Sequence, residues 1–207
     1  MQLIGMLDSP YVRRVAVALI TAGAPFRHRP ISLFRHIDEF AKLSPLLKAP
    51  SFVADDGTVL IDSGLILDHL ATLSPALAAL RPTSLPALRA TGLALIVCEK
   101  AVQFHYERAL RTPAQRSESW VARVVGQLNV GLESLEREVP ASGWVDGGAL
   151  GLCDISVACA FSFTQVMVAD LVDAKLYPRL AAFTARAEAL PAFKAAPPVD
   201  GIVAPVG

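Results

Sequence analysis

Three short stretches of this chain place polar side chains where chemistry can be done. The first is Leu7-Asp8-Ser9-Pro10-Tyr11-Val12, at the end of a short apolar run. A serine just before a proline that opens a helix is an N-cap, whose side-chain oxygen accepts a backbone N–H and stabilises the helix by about 1 kcal/mol. The same helix end has unpaired N–H groups and a partial positive charge, which favour an anion. A hydroxyl there can donate to a thiolate and keep it ionised near neutral pH. The residues leave both roles open for Ser9. The second stretch is Lys48-Ala49-Pro50. If Pro50 is cis, the Ala49 N–H and C=O turn outward to pair with an extended peptide, as an added strand does, and Lys48 can meet a carboxylate. The plainer alternative is a trans proline at a sheet edge beside a solvated lysine. The third is Asp62-Ser63, opening another helix. Either residue can cap it. Equally, Asp62 can face an ammonium while the Ser63 hydroxyl and the helix N–H groups face a carboxylate.

These stretches need elements to hold them. Gln2 to Leu7 is short and apolar and reads as a buried strand. From Pro10 to about Ala22, apolar residues recur at helical spacing, and Gly23 supplies the stop. Phe26 to Ile31 alternates apolar with basic and reads as a second strand, which Pro30 assigns to a sheet edge. Phe34 to Leu43 is a short helix or irregular turn. Ala49 to Val53 and Val59 to Ile61 flank Asp55-Asp56-Gly57, a strong hairpin signal. Ser63 to Leu73 is helical. The first 75 residues therefore read βαβαββα, a small α/β unit. Residues 76–86, rich in proline and serine, are the expected linker. Residues 87–207 then read as an all-helical domain: Leu88 to Arg111, Glu118 to Glu138, the very apolar Ile155 to Val172, and Pro178 to Leu190. The tail Pro197 to Gly207 is expected to be irregular.

Composition narrows the function classes. Hydrophobic residues make up 53% of the 207 and charged residues 18%, so a large core is available. Nineteen basic residues balance nineteen acidic ones, which gives no electrostatic argument for nucleic acid or an anionic membrane. No apolar run reaches the ~18 residues of a membrane span. The start of the chain lacks a basic stretch followed by an apolar one, so no signal peptide and a cytoplasmic location are expected. Cys98, Cys153 and Cys159 are odd in number and form no C-x-x-C pair, which fits buried thiols and argues against a disulfide framework or a metal site.

The order Ser9-Pro10, Ala49-Pro50, Asp62-Ser63, followed by a helical second domain, resembles the cytosolic glutathione S-transferase family in its bacterial, serine type. The resemblance covers essentially the whole chain. It implies a thioredoxin-like N-terminal domain that binds glutathione, and an all-α C-terminal domain that forms most of a second-substrate pocket. By resemblance, Ser9 stabilises the glutathione thiolate and Ala49 pairs its backbone with the cysteinyl part before a cis Pro50. Asp62 and Ser63 hold the γ-glutamyl end. Lys48 reaches the glycyl carboxylate, with His36 a second candidate for that end. The implied activity is addition of the thiol to a small hydrophobic electrophile, a detoxification chemistry, with glutathione as co-substrate and no metal. Tyr11, Phe104, His105 and Tyr106 are the candidate pocket residues. The resemblance further implies a homodimer with the first long helix at its interface.

Around Leu150 to Ile155 the family carries a helix cap with Asp at the third helical position. Here Asp154 fits that position, Leu150 and Ile155 fit the apolar staple, and Gly151 occupies the cap. Two alternatives to the transferase stand beside it. One is a non-catalytic dimeric binding or regulatory protein on the same scaffold. The other is a glutathione-dependent isomerase of the maleylacetoacetate type, which usually carries a Ser-Ser-Cys turn that Asp8-Ser9-Pro10 does not match. The absence of cysteine from the Ser9-Pro10-Tyr11-Val12 turn excludes dithiol redox chemistry there.

Overall fold

The computed structural model describes residues 1–204. In chain order its elements are β1 (Gln2–Ile4), α1 (Pro10–Thr21), β2 (Arg27–Arg29), α2 (Ile37–Leu43), β3 (Ser51–Val53), β4 (Val59–Ile61), α3 (Ser63–Leu73), α4 (Pro75–Ala78), α5 (Leu85–Ala109), α6 (Glu118–Glu138), α7 (Leu152–Met167), α8 (Pro178–Glu188) and α9 (Pro191–Ala195). The chain forms two compact units. One comprises Met1–Arg81 with the chain from Glu188 onward, and the other Pro82–Ala187.

The first unit is the expected βαβαββα, a thioredoxin-like arrangement. Its sheet runs β2-β1-β3-β4, with β1 and β2 parallel and the other pairs antiparallel. The hairpin turn forms as its residues dictate: Gly57 takes φ +87° and Asp56 Oδ1 accepts the Thr58 N–H at 2.9 Å. Leu3, Ile4 and Phe52 of the sheet are fully buried, as are Val15, Ala16 and Leu19 of α1 and Ile66 and Leu70 of α3. β2 lies at an edge, as Pro30 suggested.

Residues 76–86 are less linker than the composition suggested. Pro75 and Pro86 sit in the first turns of α4 and α5, where a missing N–H costs nothing, and Ser74 and Ser84 cap the two helices. The proline and serine richness thus marks two helix starts in close succession. The chain from Glu188 onward, grouped with the helical domain by sequence, clusters with the α/β unit. Arg13 of α1 explains this: it is 1% exposed, bonds both oxygens of Glu188 and donates from Nε to the Ala196 carbonyl. The tail through Ala204 has no regular element, and the expectation for residues 205–207 lies outside the described residues.

The second unit is all helical, with α5 packed against both α6 and α7. α7 is buried at every position from Cys153 to Thr164, as its apolar sequence required, but it starts at Leu152 and ends at Met167. All three cysteines are buried thiols, and burial beside the Asp154 charge pushes the Cys153 thiol up to about 12. It is inert at neutral pH. Among the described residues, no helix is long and apolar enough to cross a membrane.

Asp154 supplies the half of the capping box that does not depend on the residue at the cap. It is 1% exposed, and its two oxygens accept the N–H groups of Val145 and Gly151 at 2.9 and 2.8 Å. Removing the carboxylate strands two N–H groups, so Asp154→Ala should lower unfolding stability by about 2 kcal/mol in a denaturant titration. A loss below ~0.5 kcal/mol would show that solvent satisfies both groups instead.

Candidate functional site

The sheet register brings the three sequence stretches to one end of the first unit. Arg29, Ile4, Ser51 and Ile61 form one row across the four strands. Beyond that row β1 runs out into residues 5–9, β3 is entered through Ala49-Pro50, and β4 runs out into Asp62-Ser63. Gly5 shows how tight this end is. It has φ +133°, and a Cβ on it would lie 2.6 Å from Val12 Cγ2 and 3.2 Å from the Ala49 Cβ.

Ser9 is the N-cap of α1, with its Oγ accepting the Val12 N–H at 3.4 Å. That cap uses a lone pair and leaves the O–H proton for an outside acceptor. Tyr11 follows in the first turn, half-buried. The Ala49–Pro50 bond is cis, and Ser51 Oγ donates to the Lys48 carbonyl at 2.7 Å. Lys48 itself is exposed.

Asp62, not Ser63, caps α3. Its carboxylate accepts the N–H groups of Gly64 and Leu65 at 2.8 and 3.4 Å. It stands at φ +70°, ψ 124°, a conformation that costs a non-glycine residue about 1–3 kcal/mol and is found chiefly where surroundings or function demand it. Asp62 is exposed, whereas Ser63 is 3% exposed and accepts a hydrogen bond from Arg14 at 2.9 Å.

His36 is placed elsewhere. Its Nδ1 accepts the Ser32 N–H at 3.2 Å, and it lines a groove of about 740 Å³ along the β2 edge with Arg27, Arg29 and Val203. Lys48, by contrast, leads into the cis peptide. In the helical unit, Phe104 is buried with the Arg108 guanidinium 4.8 Å above its ring. The His105 and Tyr106 rings lie 6.0 Å apart, and Tyr106 is exposed.

The sequence reading missed Arg14 and His28. The signal was present for the first: two arginines inside an otherwise apolar helical segment must be held by something. His28 is buried, with Nε2 donating to the Gly5 carbonyl at 2.8 Å and Nδ1 accepting the Val203 N–H at 3.1 Å. Both nitrogens are used only if the ring is neutral. Burial accordingly holds its pKa below the ordinary 6.5, against the opposing pull of the Gly5 carbonyl. A depressed folded pKa contributes stability that is present above 6.5 and is lost as pH falls through the folded value. Stability should therefore drop as pH falls from 6.5 toward the folded value, and His28→Gln should flatten the slope in denaturation curves taken across that range. An equal slope in the variant would assign the acid sensitivity to other groups.

This geometry can be set beside known proteins. A glutathione S-transferase N-terminal domain model matches residues 3–82, and a glutathione S-transferase C-terminal domain model matches residues 93–191. A glutathione S-transferase from Methylobacterium radiotolerans, solved in complex with glutathione sulfonate, is 29% identical with a TM-score of 0.85, covering 93% of this chain and 92% of that one. One from Methylobacillus flagellatus, solved with glutathione bound, is 25% identical with a TM-score of 0.86, covering 96% and 99%. Maleylacetoacetate isomerase of Pseudomonas aeruginosa is 28% identical over 200 residues, 90% of this chain and 91% of its own. Both halves of the fold agree with these matches, and the two domain models together span most of the sequence: the chain belongs to the glutathione S-transferase family.

Proposed function

We propose that this protein is a glutathione transferase that ionises the glutathione thiol at Ser9 and adds it to a small hydrophobic electrophile. The observation that carries the reading is the convergence of a hydroxyl at a helix N-terminus, the cis Ala49-Pro50 bond and the Asp62 cap beside Ser63 at one sheet end. Asp62 takes the γ-glutamyl ammonium and Ser63 its carboxylate. Ala49 pairs with the cysteinyl backbone, which sets the thiol toward Ser9. Lys48 takes the glycyl carboxylate, and Tyr11 flanks the electrophile.

A free thiol has a pKa near 8.5, and lowering it by about two units asks for roughly 2.7 kcal/mol of preferential thiolate stabilisation. One charge-assisted hydrogen bond and the end of α1 supply that amount. The thiolate attacks the electrophilic carbon, forming the C–S bond as the leaving group or π-electron pair departs.

The deciding experiment is the ultraviolet thiolate absorbance of bound glutathione against pH. A thiol ionising well below 8.5 supports the transferase. No bound thiolate near neutral pH would favour the non-catalytic scaffold. The similarity to maleylacetoacetate isomerase favours a second reading, in which the same thiolate adds reversibly to a double bond and leaves after rotation. It is tested by following isomerisation of a cis-enedione carboxylate with catalytic glutathione.

The family resemblance and an apolar groove of about 430 Å³ on α5 and α6, lined by Leu93, Ile96 and Val130, support a homodimer. Ile96 and Val130 are exposed in the single chain. Sedimentation should report a dimer that Val130→Glu dissociates, and a monomeric wild type would remove this part of the reading.

A further inference from the structure

The Ser63 hydroxyl has one proton to donate and lone pairs to offer. Arg14, 2% exposed on α1, takes one of those lone pairs through Nη1 at 2.9 Å. Arginine has no acceptor, so the hydroxyl proton cannot turn toward it. Around Ser63 the other helix-start donors are already engaged. Gly64 and Leu65 donate to the Asp62 carboxylate and Ile66 donates to the Asp62 carbonyl. Among the described residues, the Ser63 O–H and its own N–H are left without an acceptor. They make a two-pronged donor at the start of an eleven-residue helix.

We propose that Arg14 is a positioning residue for the γ-glutamyl carboxylate of glutathione, orienting the Ser63 proton outward and placing a fixed positive charge one hydroxyl away. The proposal rests on the glutathione reading above. Arg14 touches no substrate atom itself, and acts by deciding which way a buried hydroxyl points. The arrangement favours a carboxylate over a neutral group at this position, because two neighbouring donors, one of them bonded to a cation, are satisfied best by an anion.

The test compares Kd values, by calorimetry, for glutathione and two analogues. 4-Aminobutyryl-cysteinylglycine keeps the amine and lacks the carboxylate, while glutaryl-cysteinylglycine keeps the carboxylate and lacks the amine. Wild type should bind glutathione about 10–100-fold tighter than the decarboxylated analogue. In Arg14→Met that ratio should fall about tenfold, with the decarboxylated analogue bound within about twofold of wild type and the bound-thiol pKa unchanged. The glutaryl analogue should weaken alongside glutathione. Ser63→Ala should show the same fall, and the double variant no more than either single one. A variant that loses affinity for all three probes equally, or keeps the wild-type ratio, overturns the proposal. Should Arg14→Met not fold, Arg14→Gln keeps an N–H donor and removes the charge. A fall of about threefold in the ratio is then expected, and an unchanged ratio overturns it. Wild-type protein that binds no glutathione would instead remove the underlying reading, so that failure is recognised before any variant is made.

Discussion

Ser9→Ala should raise the pKa of the bound glutathione thiol by about 1–2 units, because one hydrogen bond to a charged group is worth roughly 1.5–3 kcal/mol. With the wild-type thiol ionising near 6.5, the thiolate fraction at pH 6 should fall on the order of tenfold or more, and the rate of thiol addition with it. The sign of the pH dependence makes the test specific. The serine favours the ionised thiol, so its advantage is present below the variant's pKa and disappears above it. Rates of the two proteins should therefore converge as pH rises toward 9. Ser9→Thr keeps the hydroxyl and should stay close to wild type. If Ser9→Ala lowered stability by about 1 kcal/mol and left the thiol pKa unmoved, Ser9 would be only the cap that its 3.4 Å bond to the Val12 N–H already makes it.

Arg13→Ala should be strongly destabilising, by about 2–4 kcal/mol, since Arg13 is 1% exposed and its loss leaves the Ala196 carbonyl and the partly exposed Glu188 carboxylate without their donor. Arg13 donates to both Glu188 oxygens at 2.6 Å and to the Ala196 carbonyl at 2.7 Å, and its guanidinium lies 5.3 Å from the Phe193 ring centre. Lysine offers a point charge without the planar fork, so Arg13→Lys should recover less than half of the loss. Chemical denaturation gives the stability, and limited proteolysis should show the chain beyond Glu188 cleaved first in the variant. A loss under 1 kcal/mol would mean that α9 holds to α1 by apolar packing alone.

The contrast between these two residues shows what could be read early. Ser9 announces itself locally, because serine before proline before a periodic apolar run has one common structural meaning. The same holds for Asp55-Asp56-Gly57, for Asp62-Ser63 and for the heavily apolar α7. Their information lies within a few residues, as propensity, periodicity and capping. The βαβαββα order followed by helices came from these signals, and the family resemblance came from the order. The start of α7 at Leu152 follows the Gly151 cap, whereas its end at Met167 falls short of the Val172 that its apolar run suggested.

Arg13, Arg14 and His28 are the opposite case. Their partners lie 175, 49 and 23 residues away in sequence: Glu188, Ser63 and the Gly5 carbonyl. Nothing local says which arginine is buried or which carboxylate meets it, since that depends on how the chain beyond Glu188 returns to α1. The cis Ala49–Pro50 bond and the positive φ of Asp62 lie just beyond the row Arg29, Ile4, Ser51 and Ile61, whose alignment depends on pairing between distant strands. The sequence by itself thus determined the elements, their order and the residues able to do chemistry. Only the tertiary structure decided which of those residues share one end of the sheet, and which buried charges hold them there, because pairing between distant segments is settled by packing and not by local preference.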